Sequence, residues 1–336
     1  MGDGTKENPY TCKDVRRLIE EYGGKAEGLD LSRQRFIEAI DLSELDLSGI
    51  KLSNVHLFRA DFNSSNLDRA IMQEAYLGYA TFNPVKSKIA SLQSIDLRGA
   101  LLHNAEFREA DLTGAQFQGE SRPPHLAASL IDTDFRGAKL FLANFKGCYF
   151  YGTKLEGAHI RGADIYEAHL EEVDWGSYIV GEEISKEFYF AEYVYRHLKL
   201  WYRAAGRYDT AAKFYYREKE ANRKSLKLFS KSWNHRIASQ LSYWVFGHGE
   251  KWKRLLFWIA GFILLFALIY FAIGTLTPNT FSNSLYYSAV SFIALGYGSW
   301  VKEATGWVKG LGVFETFLGF FMMTLLLVTF VRKWTR

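Results

Sequence analysis

Cysteine is nearly absent from this chain: its 336 residues include only Cys12 and Cys148. The two lie far apart in the sequence and match no metal-binding or redox spacing. Four histidines of the central region are scattered among polar positions: His103, His125, His159 and His169. The sequence contains no nucleophile–base pair and no metal-ligand spacing. We therefore expect neither an enzyme nor a protein with a bound metal or organic cofactor.

The first ten residues, MGDGTKENPY, contain neither the apolar run nor the cleavage pattern of a signal peptide. Lys6 stands where an N-myristoylation motif requires serine or threonine. These absences predict that the N-terminal part of the chain is cytoplasmic and reduced.

Charge is unevenly distributed, although the net charge of the whole chain is only +4. Counting Lys and Arg against Asp and Glu gives −6 for residues 40–175 and +8 for residues 176–254. The basic segment is the part expected near anionic phosphate, whether of lipid or of nucleic acid. Because an apolar stretch follows it directly, lipid is the favoured partner, and we expect no nucleic-acid binding.

Large apolar residues recur at every fifth position in two blocks. The first block contains Leu42, Leu47, Leu52, Leu57, Phe62, Leu67, Met72, Leu77, Phe82, Leu92, Leu97, Leu102, Phe107, Leu112 and Phe117. After an insertion with Arg122, Pro123 and Pro124, the second block contains Leu130, Phe135, Leu140, Phe145, Phe150, Leu155, Ile160, Ile165, Leu170 and Trp175. A period of five fits neither an α-helix at 3.6 residues nor a strand at 2.

Units such as ADLTG (110–114) and ANFKG (143–147) resemble those of the pentapeptide-repeat family. The resemblance implies a right-handed quadrilateral β-helix over residues 40–176, with four repeats to a coil. A rigid module for assembly or interaction is the favoured role. Some family members are acidic and mimic DNA, but a charge of −6 with interspersed Arg and Lys favours that role only weakly.

The flanking segments are predicted to be helical. Residues 1–39 are predicted to form an N-terminal helical cap, with a helix at 11–22 that covers the first coil. Residues 177–229 are predicted to form a helical hairpin connector. Residues 230–250 are predicted to form an amphipathic interfacial helix with Ile237 and Leu241 on its apolar face. Since tryptophan suits the lipid headgroup layer, three tryptophans are expected at the membrane interface: Trp233, Trp244 and Trp252.

Residues 251–336 contain two long apolar stretches. Leu255–Ile273 is free of charge, and a second stretch lies between Lys309 and Arg332, with Glu315 as its one charged residue. About 20 residues are needed to cross a bilayer. Basic residues precede the first stretch and follow the second, which predicts a multi-pass protein of the plasma (inner) membrane with both termini in the cytoplasm.

Between these stretches lies SFIALGYGSW (291–300). The apolar segment before it is too short to cross the membrane and return as helices. We expect a short helix that is capped by Ser282 or Ser284, enters the membrane and stops near Ile293. The chain then returns in extended form through 295–298, where the glycines allow successive carbonyls to face one axis. Carbonyls so placed can replace the hydration shell of a cation.

This order of span, re-entrant helix, Gly-Tyr-Gly and span resembles the two-transmembrane potassium-channel pore family. The resemblance covers residues 254–333 and implies an all-α two-transmembrane pore domain, a homotetramer, and permeating monovalent ions such as K⁺ in place of a cofactor. It assigns the selectivity filter to Ala294, Leu295, Gly296, Tyr297 and Gly298, with Ser291 and Ser299 in the filter-support positions. It also assigns the gating hinge to Gly319 in ETFLG (315–319).

Two departures from the family pattern bear on ion selectivity. Ala294 replaces a threonine and keeps only the backbone carbonyl, and Ser299 replaces the aspartate that braces the filter from behind. Glu315 has two interpretations: a solvated residue near the outer membrane boundary, or a group behind the filter that takes over part of the aspartate's role. Gly319 is either a hinge or a site of close helix packing.

We therefore predict an oligomeric cation channel, permeable to potassium, with a cytoplasmic β-helix that serves assembly or gating. Three alternatives stay open. The first is a non-selective or anion-conducting channel of the same architecture. The second is a membrane-anchored scaffold whose β-helix binds a cytoplasmic partner protein. The third is a DNA-mimicking regulator tethered to the membrane.

Overall fold

The chain folds into two compact units, Met1–Ser225 and Leu226–Arg336. The computed structural model describes residues 2–83, 90–121, 124–125, 127–226, 233–274, 276, 278–293 and 307–334. Each unit buries apolar side chains of its own.

The first unit opens with helix α1 (Cys12–Glu21). A reciprocal capping box starts this helix: the Thr11 N–H donates to Asp14 Oδ2 at 3.0 Å, and the Asp14 N–H donates to Thr11 Oγ1 at 3.4 Å. Just before the helix, the Tyr10 N–H donates to the Arg35 carbonyl at 2.8 Å, and the Ile37 N–H donates back to the Tyr10 carbonyl at 3.0 Å. The segment around Tyr10 therefore occupies the first edge of the coiled region.

Parallel backbone bridges hold the successive coils together. In uninterrupted stretches they join residues 20 positions apart, such as Asp41 with Asp61 and Tyr149 with His169. Twenty residues are the length of four five-residue units. Because the chain turns within every unit, the repeats contain isolated bridges instead of long strands. The predicted repeat region is confirmed as a β-helical coil.

The large residues of the five-residue series stack in the interior of this coil. Phe62, Phe82, Phe107 and Phe135 form one column, with successive ring centroids 4.9, 4.4 and 5.2 Å apart. Alanines such as Ala60, two positions before a large residue, are fully buried and leave space for the rings. The sequence period thus produces a continuous core.

The coil begins earlier than residue 40. Asp30 bridges Lys51 and Arg35 bridges His56, in both cases across 21 positions. Leu31 and Phe36 are buried and continue the large-residue series toward the N-terminus. One extra residue between Phe36 and Leu42 shifts the frame, so the strict period misses this first stretch. Within the predicted cap at 1–39, α1 is the helical part.

Two insertions interrupt the coil. Residues 84–89 fall within the first, where the bridge between Asn66 and Ser91 spans 25 positions. The second lies near the predicted frame shift, where the bridge from Leu101 to Ser129 spans 28 positions. There β1 (Glu120–Ser121) pairs antiparallel with β2 (Pro124–His125). The core column continues past both insertions.

Three helices complete the first unit: α2 (Gly181–Ile184), α3 (Phe188–Ala204) and α4 (Tyr208–Ser225). The Tyr202 hydroxyl of α3 accepts a hydrogen bond from Trp175 Nε1 and donates one to the Leu170 carbonyl, each at 2.6 Å. Phe214 of α4 packs edge-on against the Trp175 ring at 5.2 Å. The hairpin predicted as a connector is therefore packed into the core of the repeat unit.

The last coil ends at a buried carboxylate. The Leu142 N–H donates to the Arg161 carbonyl one coil later, at 3.2 Å. For the Arg161 N–H itself, the acceptor is Glu182 Oε1 of α2, at 2.8 Å. Glu182 is 0% exposed, and burial raises its pKa, with backbone N–H donors opposing the shift. A side chain thus replaces the backbone acceptor that a further coil would supply.

The described residues of the second unit are mostly helical. Helix α5 (Trp233–Phe246) is followed by a 3₁₀ turn at Gly247–Gly249, then by α6 (Trp252–Ile273), α7 (Phe281–Ile293) and α8 (Trp307–Trp334). Two helices are long and apolar enough to cross a bilayer, over Trp252–Ile273 and Trp307–Val331. They correspond to the two predicted spans.

Helix α5 carries the predicted apolar face. Ile237, Leu241 and Trp244 lie three to four positions apart and are 47%, 55% and 57% exposed. Trp233 begins this helix. The Trp244 carbonyl accepts a hydrogen bond from Trp258 Nε1 at 3.1 Å, and the Trp252 ring packs against Phe330 with centroids 6.2 Å apart. The exposed apolar face of α5 is compatible with the predicted interfacial role.

Candidate functional site

Helix α7 packs against both long helices. Its Tyr287 ring meets the Tyr270 ring of α6 edge-on, with centroids 4.9 Å apart, in a cluster that includes Phe266. Its Phe292 packs with Leu255 of α6 and Met322 of α8 in a second cluster. The short helix is thus held at both ends by apolar contacts with its neighbours.

Thr280 starts α7. The Asn283 N–H donates to Thr280 Oγ1 at 3.2 Å, and the Ser284 N–H donates to the Thr280 carbonyl at 3.0 Å. The prediction that Ser282 or Ser284 caps this helix was wrong, because the helix begins at Phe281 and both serines lie inside it. The predicted end of the helix near Ile293 agrees with its observed bounds.

Glu315 is the central polar group of the helical unit and is 0% exposed. The Tyr270 hydroxyl of α6 donates to Glu315 Oε2 at 2.8 Å. The Ser288 hydroxyl of α7 lies within hydrogen-bond distance of Glu315 Oε1 and, at 2.8 Å, of the Ile263 carbonyl. One carboxylate on α8 therefore joins three helices. Such burial is incompatible with the interpretation of Glu315 as a solvated residue.

Ser291 contacts its surroundings through both its hydroxyl and its carbonyl. Its hydroxyl donates to the Tyr287 carbonyl within α7 at 2.8 Å. Its carbonyl accepts a hydrogen bond from Thr316 Oγ1 of α8 at 3.0 Å. Glu315 and its neighbour Thr316 thus both anchor α7 to α8.

Gly319 lies where α8 comes closest to α7. A Cβ atom at this position would lie 1.9 Å from the Phe292 carbonyl oxygen and 2.7 Å from its carbonyl carbon. A side chain cannot fit without moving the end of α7. This contact favours the close-packing interpretation of Gly319.

The predicted filter residues Ala294, Leu295, Gly296, Tyr297 and Gly298, together with Ser299, lie outside the described residues. In the sequence they follow directly after Ile293, the last residue of α7. Three other predicted site residues are described. Ser291 belongs to α7, Glu315 of α8 contacts Ser288 of α7, and Gly319 of α8 lies against Phe292 near the end of α7.

Sequence reasoning missed Tyr270, Ser288 and Thr316. Tyr270 lies in an apolar run, and Ser288 and Thr316 are ordinary polar residues of helical segments. Tyr270 and Glu315 are 45 positions apart, so only the packing of the helices brings them together. The one available signal was a tyrosine hydroxyl in a membrane span, which requires a partner.

Among the residues that the structure describes, no three His, Cys, Asp or Glu side chains converge. Cys148 is buried in the coil, where its thiol donates to the Phe117 carbonyl at 3.3 Å. Burial raises the pKa of this thiol to about 12, which makes it unreactive.

Several solved structures are similar to parts of this chain. A pentapeptide-repeat protein from the thylakoid lumen of Arabidopsis thaliana is 25% identical over 33% of this chain and 68% of that chain, with a TM-score of 0.29. HetL, a pentapeptide-repeat protein from the cyanobacterium Nostoc sp. strain PCC 7120, is 20% identical over 50% of this chain and 98% of that chain, with a TM-score of 0.18. QnrB1, a plasmid-mediated fluoroquinolone resistance protein, is 16% identical over 45% of this chain and 73% of that chain, with a TM-score of 0.31.

No curated protein matches the chain. Two family models do. The model of pentapeptide repeats matches residues 90–119, 128–165 and 143–174, with 8 copies, and a model described as an ion channel matches residues 258–336. Neither family is a family of enzymes. Both resemblances seen in the sequence are confirmed: the chain is a membrane protein that joins pentapeptide repeats to an ion-channel domain.

Proposed function

We propose that this protein is an oligomeric cation channel, permeable to potassium. The observation that carries the proposal is the contact of α7 with both apolar helices around the buried Glu315, directly before the Gly-Tyr-Gly segment. A short helix held in this way has no role in a simple membrane anchor. It suits a re-entrant pore helix that supports a filter.

Ion coordination falls to the backbone carbonyls of Ala294, Leu295, Gly296, Tyr297 and Gly298. Four chains contribute one such segment each in a homotetramer, and the carbonyls replace water around a dehydrated K⁺ ion. Helix α7 directs its C-terminal, negative end toward the filter and favours a cation there. Potassium is therefore the permeating ion of the proposal, and no organic cofactor takes part.

Glu315 is proposed to support the filter from behind. Ser299 cannot supply the carboxylate that the family pattern places after the second glycine. Glu315 is fixed by Tyr270 and by Ser288 of the pore helix, five positions before Ile293. Ser291, bonded to α8 through its carbonyl, adds a second anchor near the same end. Gly319 acts chiefly as the contact that keeps α8 against this end, and a hinge motion there is the secondary proposal.

The repeat unit is proposed to be a right-handed quadrilateral β-helix in the cytoplasm, where it serves assembly or gating. Bridges 20 residues apart support four units to a coil. Both termini lie in the cytoplasm, and the spans cross the plasma (inner) membrane. Trp233, Trp244 and Trp252 contact lipid headgroups rather than nucleic acid. Exposed side chains such as Tyr151, 62% exposed, are available to a cytoplasmic protein partner.

A non-selective channel is the second candidate, because Ala294 offers no hydroxyl to the innermost ion site. Purified protein in liposomes, with K⁺ on one side and Na⁺ on the other, separates the two. We expect a reversal potential near the potassium Nernst potential; a value near zero with clear current indicates the non-selective channel. A chloride gradient then tests anion conduction.

The control variant carries Gly296→Ala and Gly298→Ala, which restrict the backbone angles available to the filter. It should insert into liposomes and carry no current. Equal current from the variant and the native protein contradicts the filter assignment. Glu315→Gln keeps the shape of the side chain but removes its charge, and we expect a smaller preference for K⁺ over Na⁺.

A further inference from the structure

A cavity of about 270 Å³ lies within the first unit, between the last coil of the repeats and α3. Its floor is formed by buried apolar side chains, including Phe145, Phe150, Leu170 and Trp175. The polar atom of Trp175 does not face this space unpaired, because Nε1 donates to the Tyr202 hydroxyl at 2.6 Å. The floor of the cavity is therefore an apolar surface of carbon atoms.

The cavity arises from a change of side-chain size at the end of a core column. Phe117 and Phe145 stack with ring centroids 4.6 Å apart, and the position one coil further on holds the smaller Ile165. Helix α3 covers this side with Val194 and Leu198. Its bulky Tyr195 and Tyr202 are fixed elsewhere, by hydrogen bonds of 2.6 Å to Glu183 and to the Leu170 carbonyl. Interiors are normally close-packed, so an unfilled space of this size is unusual.

The mouth of the cavity is polar and aromatic. Asp164, Tyr166, Tyr193 and His197 line it and are exposed. Asp164 Oδ1 accepts the Tyr166 N–H at 2.9 Å, while Oδ2 has no hydrogen-bond partner among the described residues. Lys146 Nζ lies 5.2 Å from the centre of the Tyr166 ring, so a positive side chain stands beside the rim and offsets the negative charge of Asp164. The rim can therefore accept a hydrogen bond from an uncharged donor.

We propose that this cavity binds a small uncharged aromatic molecule with one hydrogen-bond donor. A cavity of about 150 Å³ holds benzene, so this one holds about ten non-hydrogen atoms. The ring lies on the floor near Phe150 and Trp175, and the donor bonds to Asp164 Oδ2. Pockets with a carbon lining and one or two placed polar groups are the usual form of small-molecule sites. The proposal does not depend on channel activity.

Indole is the probe, since it has nine non-hydrogen atoms and one N–H donor. Full-length protein in lipid nanodiscs is dialysed against indole, and the bound amount is measured at increasing concentration. We expect one saturable site per chain with a Kd below about 1 mM. Ile165→Phe restores the larger residue of the column, fills the cavity and should abolish the saturable binding while leaving partition into lipid. Ile184→Phe, at a residue 62% exposed and outside the cavity, is the matched control.

Val194→Phe fills the cavity from the side of α3. It replaces Ile165→Phe in the experiment if thermal unfolding shows that Ile165→Phe does not fold. The proposal is overturned if native protein shows no saturable binding, or if the folded filling variants bind as native protein does. Binding that Ile184→Phe retains and the filling variants lose supports it.

Asp164→Asn tests the acceptor of the proposed hydrogen bond. Asn144 occupies the same position one coil earlier and accepts the Lys146 N–H at 3.1 Å, so the turn tolerates asparagine. Because Oδ2 becomes an NH₂ group, indole should bind two- to fivefold more weakly. 1-Methylindole lacks the donor and should bind equally to both proteins. An equal loss for the two compounds, or no loss for indole, overturns the assignment of Asp164.

Discussion

The two units of this chain hold themselves together in opposite ways. In the coil, almost every unit is bonded to its neighbours one coil away by backbone hydrogen bonds, and apolar residues face inward. In the described part of the helical unit, backbone hydrogen bonds stay within the helices and the short turns beside them, and many large side chains face outward. Phe257, Phe317 and Phe320 are 76%, 72% and 72% exposed.

The two units therefore differ in how well they tolerate a local change, such as an insertion or a substitution. The coil repeats the same contact many times, so the two insertions leave its core column continuous. The helical unit depends on a few contacts that occur once, such as Gly319 against Phe292 and Glu315 between Tyr270 and Ser288. Its outward apolar residues need lipid or other copies of the chain to cover them.

Phe107→Ala tests the coil and should have the largest effect. Phe107 is fully buried between Phe82 and Phe135, so its removal leaves a cavity in the column. We expect the free energy of unfolding of the repeat unit to fall by about 3–5 kcal/mol. Hydrogen exchange of repeat peptides in the full-length protein measures this change.

Tyr151→Ala is the matched control, because Tyr151 is 62% exposed. It should change the unfolding free energy by less than about 0.5 kcal/mol. A loss of unfolding free energy below about 1 kcal/mol for Phe107→Ala would contradict this prediction. It would mean that the stability of the repeat unit does not depend on an unbroken column of rings.

Gly319→Ala tests the helical unit. The added Cβ would lie 1.9 Å from the Phe292 oxygen, so α7 must shift away from α8. We expect a loss of stability of about 1–3 kcal/mol and loss of ion flux in liposomes. Gly310→Ala lies on the same helix, and among the described residues no atom outside the local helix backbone lies within 4 Å of its added Cβ, so it should be neutral or slightly stabilising.

The same pair of variants separates packing from hinge motion. If Gly319 serves only as a hinge, alanine leaves thermal stability unchanged and alters the opening of the channel alone. If both properties are native-like in Gly319→Ala, neither role holds.

Asp134→Asn should have the smallest effect and concerns charge on the coil surface. Asp134 accepts hydrogen bonds from Arg136 Nη2 at 2.6 Å and from Arg108 Nε at 2.8 Å. Burial acts to raise its pKa, but these hydrogen bonds outweigh it and lower the pKa to about 2. Because both arginines are partly exposed, we expect the variant to lose about 1–2 kcal/mol of stability at neutral pH.

The pH dependence has a definite sign. A carboxyl with a lowered folded-state pKa stabilises the fold above its ordinary pKa near 3.8, and loses that contribution as pH falls through about 2. The difference in unfolding free energy between native protein and Asp134→Asn should therefore shrink between pH 4 and pH 2. Asp132→Asn is the control, since Asp132 is exposed and its carboxylate forms no ion pair or hydrogen bond with the described residues. A difference that stays constant with pH contradicts the pKa assignment.

The sequence predicted the coil well because one physical rule, an inward large residue at every fifth position, repeats many times. It missed the stretch around Leu31 and Phe36 because one extra residue there breaks the period. It identified Glu315 as the acidic residue of a span, but not Tyr270 or Ser288, which meet it only through helix packing. The sequence also could not decide whether Gly319 is a hinge or a site of close helix packing. The close approach of Phe292 to this glycine arises only when the helices have packed together.

The Glu182 carboxylate that accepts the Arg161 N–H has a consequence for the exposed edges of the coil. Together with Tyr10 at the opposite edge, it occupies backbone groups through which one coil could template another. An extended segment of any other chain meets these groups already paired, which disfavours the addition of a strand at either edge. A side chain on a four-residue helix thus closes the coil where its repeats end.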